Sequence, residues 1–255
     1  MLPLLVAVVT IPFVVRGLGT ERFGLLALAW VVLGYFSIFD LGLGRATTKY
    51  VAEALGKGEE NRVPSIIWTA VTVQAIMGSV GAIVLLATTD LLVDRVLNIP
   101  QELLGEARIT FHLLAFSIPV VLISSSFSGA LEAAQRFDLI NVLRIPISIL
   151  TYLLPLLGLF LGLGLPGIVA LILLARLCAL AAFVIMNLRI RPELREYSPS
   201  SALLSQLFAY GGWITVSSVV GPILVYLDRF LISSLLTIDA VAYYTAPYEA
   251  VTRLW

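Results

Sequence analysis

The strongest constraint in this chain is an uncharged stretch of 27 residues, Val63–Thr89, held between Arg62 and Asp90. A helix needs about 20 mostly apolar residues to cross the hydrocarbon core of a bilayer. Three more runs reach that length: Ile109–Leu131 with 23 residues, Ile145–Ala175 with 31 and Ser198–Leu227 with 30. Phe23–Phe39 adds 17 and continues through Asp40. The longest run contains Gly162-Leu-Gly-Leu-Pro-Gly167, a Gly/Pro break where one span ends and another begins. A membrane-spanning strand would alternate apolar and polar residues over about ten positions. These runs are apolar on every face, so the predicted fold is all-α, a polytopic helical membrane protein.

Seven full or nearly full spans are expected, near Leu2–Val15, Phe23–Gly44, Val63–Ala87, Ile109–Leu131, Ile145–Leu161, Gly167–Leu188 and Phe208–Leu236. An eighth opens at Val241. The organisation predicted from them is a first six-span bundle over 1–188, a cytoplasmic linker helix over 189–205, and the start of a second bundle over 206–255. Ser198-Pro199 reads as an N-cap with proline at the first helical position of that linker. Both ends look cut: Met1–Val15 is short for a span, and the last helix stops at Trp255 in mid-pattern. The start lacks the basic region and cleavage site of a signal peptide.

Composition closes the other classes. Hydrophobic residues make up 60% and charged residues 13%, against about 45–50% and 25% in soluble domains. A soluble globule, a disordered chain and a basic nucleic-acid-binding domain are excluded. One cysteine, Cys178, allows no internal disulfide, and one histidine, His112, leaves little for metal or acid–base chemistry. No cofactor, metal site or enzymatic activity is expected. The Gly-x-Gly pairs lack the strand–turn–helix setting of a nucleotide loop.

Lys and Arg in the connections set the orientation. The connections after spans 2, 4 and 6 hold nine (Arg45, Lys49, Lys57, Arg62; Arg136, Arg144; Arg189, Arg191, Arg195) against four in the alternate set (Arg16, Arg22, Arg95, Arg108). The N-terminus is therefore expected inside. No connection is long enough for a separate domain, so function must reside within or beside the membrane. The turn after span 1, Leu18-Gly-Thr-Glu-Arg-Phe-Gly-Leu25, is echoed after span 7 by Leu236-Thr-Ile-Asp-Ala-Val-Ala-Tyr243. That placement, six spans apart, is what a parallel repeat predicts.

Charges inside the bilayer are costly, and they are the first candidates for function. Arg176 is tenth in the span Gly167–Leu188. It should face the bundle interior or a wet cavity, as a ligand group or in an interhelical salt bridge. Asp40 lies in Phe39-Asp-Leu-Gly-Leu-Gly-Arg45, where glycines permit close backbone approach. Arg45, Lys49 and Glu53 share one helix face at i, i+4 and i+8. Asp228 and Arg229 sit side by side in span 7, and Glu249 lies in span 8. Arg16 and Arg22 read by position as interfacial, snorkelling cations. The buried set has an excess of arginine, and guanidinium grips phosphate oxygens bidentately. Its acids suit proton or sodium coupling, or structural pairing. Ser124-Ser125-Ser126 and Ser128 either hydrogen-bond across helices or line a wet path, with helix packing the preferred reading, and His112 reads as an interfacial histidine. Pro12, Pro119, Pro146, Pro155 and Pro222 are expected to interrupt helices.

Leu18–Leu25, followed by Phe39–Arg45 running into Lys49 and Glu53, resembles the oligosaccharide (Wzx-type polysaccharide/O-antigen) flippase family. Leu227-Asp-Arg229 and Ala242-Tyr-Tyr-Thr-Ala246 resemble the same family at the start of its second half. The resemblance implies membership of the multidrug/oligosaccharidyl-lipid/polysaccharide exporter superfamily, with 12 to 14 helices in two bundles. It also implies movement of polyprenyl-diphosphate-linked oligosaccharide across the cytoplasmic membrane by alternating access. On the residues that match, it implies substrate roles for Arg16, Arg45 and Arg176, with Asp40 and Asp228 as coupling or structural acids. Arg229 joins the substrate-binding set by its place in span 7. A cation-coupled multidrug exporter of the same superfamily and a membrane glycosyltransferase are the alternatives.

Overall fold

The computed structural model describes residues 2–19, 21–27, 29, 40, 42–97 and 99–217. Among them every regular element is helical. In chain order these are α1 (Leu2–Leu18), α2 (residues 21–27), α3 (Leu43–Gly56), α4 (Val63–Leu91), α5 (Leu104–Ala133), α6 (Phe137–Phe160), α7 (Leu165–Ile190) and α8 (residues 204–217). Among the described residues four spans are long and apolar enough to cross a membrane: Glu60–Arg95 around α4, Gln101–Ala133 around α5, and α6 and α7 themselves. The chain is an all-α, multi-pass helical membrane protein.

The expected spans 3 to 6 coincide with α4 to α7, but the helices are longer. α4 has 29 residues, about 43 Å at 1.5 Å per residue, against a core of about 30 Å. α5 begins at Leu104 rather than Ile109, and α6 at Phe137 rather than Ile145. Hydropathy marks the part of a helix that is in lipid, whereas the backbone ladder continues into the headgroup layer. Arg144, assigned to a connection by its charge, is thus a residue of α6. The break at 162–167 is as expected. Gly162 takes φ +68°, α6 ends at Phe160, and Pro166 occupies the first turn of α7.

Three local expectations are corrected. Span 2 does not run unbroken through Gly44: Gly42, at φ +66°, starts a separate helix, α3. Ser198 and Pro199 lie in non-helical chain, and the nearest turn is a 3-10 helix, Ser201–Leu203, preceded by Ser200. With Pro192–Arg195 also 3-10, the stretch expected as one linker helix contains two short turns. Pro12, Pro119, Pro146 and Pro155 do not end helices, because α1, α5 and α6 continue through them. Neighbouring helices and side chains tolerate proline inside membrane helices. Span 7 beyond residue 217, the start of span 8, Pro222, Asp228, Arg229, Glu249 and the second half of the internal echo lie outside the described residues.

α5 is the central helix. It packs along α4 and α7 and crosses α3, while α6 packs on α1 and α7. Lipid supplies no hydrophobic drive between helices, so close packing of small residues holds the bundle. A Cβ on Gly78 would lie 2.5 Å from the Cα of Pro119, so α4 lies directly on the backbone of α5. A Cβ on Gly129 would lie 2.5 Å from the carbonyl oxygen of Gly44, which does the same for α5 and α3. On the outward face of α3, Lys57 donates to Glu53 at 2.6 Å and holds that carboxyl below its ordinary range. Lys49 sits over the rings of Tyr50 and Tyr210, 4.5 and 4.3 Å from their centroids. The Tyr50 hydroxyl donates to the Gln206 carbonyl at 3.1 Å, tying α8 to α3.

Candidate functional site

A polar cavity of about 490 Å³ opens between α3, α5, α6 and α7. It is lined by Asp40, Gly44 and Arg45 on one side, Ser124, Ser125, Ser128, Gly129 and Glu132 along α5, Arg144, Ile147 and Ser148 on α6, and Phe183 on α7. It lies at the end of the bundle that carries the Arg- and Lys-rich connections. Its volume is within the ~300–1,000 Å³ range of small-ligand sites.

Asp40 is the best-connected acid in that wall. One carboxylate oxygen accepts from the Gln74 amide, the other from the Ser125 hydroxyl at 3.2 Å, and both from the Gly44 N–H at 3.3 and 3.1 Å. Gln74, fully buried on α4, in turn accepts from Ser126. One hydrogen-bonded chain therefore joins the turn before α3 to α4 and α5. The carboxylate also lies at the start of α3, where the helix dipole favours a negative charge.

The four cavity serines differ in what they have left to offer. Ser124 donates to the Val120 carbonyl at 2.6 Å, Ser148 to the Arg144 carbonyl at 2.8 Å, and Ser125 to Asp40. Ser128, mostly buried at 8% exposure, keeps its hydroxyl free of protein partners among the described residues. Ser126 and Ser125 bond across helices, to Gln74 and Asp40, and Ser124, Ser125 and Ser128 line the cavity.

Of the residues singled out from sequence, Asp40 and Arg45 meet in this cavity. Arg16 does not line it. It is exposed in the last turn of α1, where a cation complements the helix dipole. Arg176 does not line it either. It falls on the stripe of α7 that carries buried Ile172, Ala179 and Phe183, about 10 Å along the helix from Phe183. Its Nε is buried without a hydrogen-bond partner among the described residues. Arg229 and Asp228 lie outside the described residues. Gln74, Glu132, Arg144 and Ser148 were not singled out as site residues. Only their helical register could have pointed to them: Ser128 and Glu132 are one turn apart on α5, as are Arg144 and Ser148 on α6.

Solved structures share the arrangement of the helices. A MATE transporter in its bent conformation superposes with a TM-score of 0.76 over 93% of this chain and 54% of that one, at 20% identity. A MOP-superfamily transporter from Pyrococcus furiosus, described as having a binding pocket of reversed polarity, gives 0.68 over 98% of this chain and 58% of that one, at 17% identity. The chain belongs to the polysaccharide biosynthesis protein family, whose model matches residues 1–254. It is 30% identical, over 99% of its length, to a Shigella flexneri protein named "Putative O-antigen transporter", and spans 60% of that protein. It is also 27% identical over 146 residues to an uncharacterized membrane protein, EpsK, of Bacillus subtilis (strain 168).

Proposed function

We propose that this chain is the N-terminal part of a transporter that carries polyprenyl-diphosphate-linked oligosaccharide across the cytoplasmic membrane by alternating access. The observation that carries the reading is family membership over nearly the whole chain, together with likeness to a protein named as an O-antigen transporter. In this reading residues 1–188 form the first bundle, 189–205 the linker and 206–255 the opening of the second bundle, with the N-terminus inside. The substrate's charged headgroup meets arginine in an otherwise apolar bundle, as a diphosphate requires. Arg45 stands in the cavity wall, Arg176 further along α7, and Arg16 at the outer end of α1. Arg229 and Asp228 complete the set from the second bundle.

The cation-coupled exporter reading has the shared fold behind it. Asp40, the acid it would use, already has both oxygens engaged by protein donors. We read Asp40 accordingly as a positioning acid for α3 and Arg45. Asp228 is then the acid left for proton or sodium coupling.

The test uses the full-length protein in vesicles loaded with a labelled lipid-linked oligosaccharide. Label is expected to become accessible from the opposite leaflet, and Arg176→Ala is expected to abolish that while inserting normally. If the wild-type protein leaves the label inaccessible, the flippase reading fails. Unchanged transport in Arg176→Ala would assign Arg176 to helix packing instead. Export of cationic dyes that is lost in Asp40→Asn would favour the multidrug alternative.

A further inference from the structure

We propose that Arg144 of α6 and Ser128 of α5 act with Arg45 as a cradle for the diphosphate group, opposed by Glu132. The inference rests on the flippase reading for its substrate and goes beyond it in naming the cradle. Arg45 and Arg144 line one cavity from different elements. Neither takes part in an ion pair among the described residues, whereas Arg22, Arg62, Arg108 and Arg136 each have an acid within 3.1 Å. Two guanidiniums outside any ion pair among the described residues, brought to one cavity by α3 and α6, match the two phosphate groups of a diphosphate.

Ser128 is one turn before Glu132 and beside Gly129, where α5 touches the backbone of α3. Its neighbours Ser124, Ser125 and Ser148 have spent their protons on protein acceptors, so Ser128 supplies the neutral donor. The two acids of the wall differ. Asp40 accepts from Gly44, Ser125 and Gln74, so its charge is stabilised by its own donors. Glu132 has no ion-pair or hydrogen-bond partner among the described residues and faces the same space as the two arginines. It weakens anion binding and so favours release of a substrate that must leave after each cycle.

The arrangement makes opposite predictions for two charge changes. With the full-length protein in lipid nanodiscs, binding is measured for a short prenyl diphosphate and, separately, for inorganic diphosphate. Arg144→Gln is expected to weaken prenyl diphosphate binding about tenfold or more, the loss of a charge-assisted contact. Arg144→Lys should recover part of it, Ser128→Ala should cost a few-fold, and Glu132→Gln should tighten binding. Arg189→Gln, on α7 outside the cavity, serves as the control for general charge.

Equal affinity for both probes would assign the cradle to any diphosphate, and preference for the prenyl form would assign it to the lipid-linked headgroup; either supports the site. Unchanged binding in a folded Arg144→Gln protein, or weaker binding in Glu132→Gln, overturns it. Arg144-dependent binding without transport would leave the cradle standing and sink the flippase reading. Transport that is indifferent to Arg144 would do the reverse.

Discussion

Gly129→Val is expected to be the most damaging single substitution in the described bundle. A Cβ at that position would stand 2.5 Å from the Gly44 carbonyl oxygen and 3.0 Å from the Thr48 hydroxyl. The first of these neighbours is backbone and cannot turn aside. α3 and α5 would have to separate, and the Gly44 N–H and the Ser125 hydroxyl would be drawn from Asp40. Overpacking a fitted interior costs about 1–3 kcal/mol. Loss of the buried polar contacts adds about 1–3 kcal/mol. The expected readout is a lower unfolding temperature of the detergent-solubilised protein and poor recovery in size exclusion. Gly105→Val, in the first turn of α5 with open space around it, should leave both close to wild type. Equal behaviour of the two variants would show that α3 does not rest on α5 through glycine.

The second large effect is expected from Gln74→Leu. Leucine has nearly the right volume and is the more lipid-compatible side chain, so hydropathy alone predicts a neutral or stabilising change. The hydrogen bonds predict the opposite. Gln74 donates to Asp40 and accepts from Ser126, and it is fully buried. Its loss leaves a half-buried carboxylate short of one donor and a buried hydroxyl short of its acceptor. The cost expected is about 2–3 kcal/mol. A double-mutant cycle with Asp40→Asn separates the terms, because members of one network couple by about 0.5–3 kcal/mol. Additive effects in that cycle would mean that Asp40 and Gln74 do not act as a unit. Transport should fall with stability in Gln74→Leu, since Arg45 stands in the first turn of the helix that Asp40 anchors.

The span count near the middle of the chain was legible because membrane helices must satisfy every backbone group internally and present apolar side chains all round. That demand writes itself into long uncharged runs, and α4 to α7 fall where the runs are. The turn between α6 and α7 was legible for a local reason: glycine and proline there set backbone angles by themselves. The resemblance carried by Leu18–Leu25 and Phe39–Arg45 pointed to the family that the whole chain matches.

Helix ends were less legible. A charge such as Arg144 marks the edge of the lipid, not the end of the helix, so α6 begins seven residues before it. The prolines misled for a related reason. Their missing hydrogen bond is local, whereas the decision to continue the helix belongs to the neighbours that pack on it, as Gly78 does on Pro119.

By itself the sequence determined the class of the molecule, the places of α4 to α7 among the seven spans it predicted, and the rarity of charges within those spans, because hydropathy and backbone satisfaction act over one helix at a time. Which of those charges share a space was decided only by tertiary structure. Asp40 and Arg144 are over a hundred residues apart, yet both line one cavity. Arg176, the most conspicuous charge in the sequence, lies outside it. The crossing of α3, α5, α6 and α7 sets those distances, and it depends on contacts such as Gly44 against Gly129 that leave no mark on composition or period.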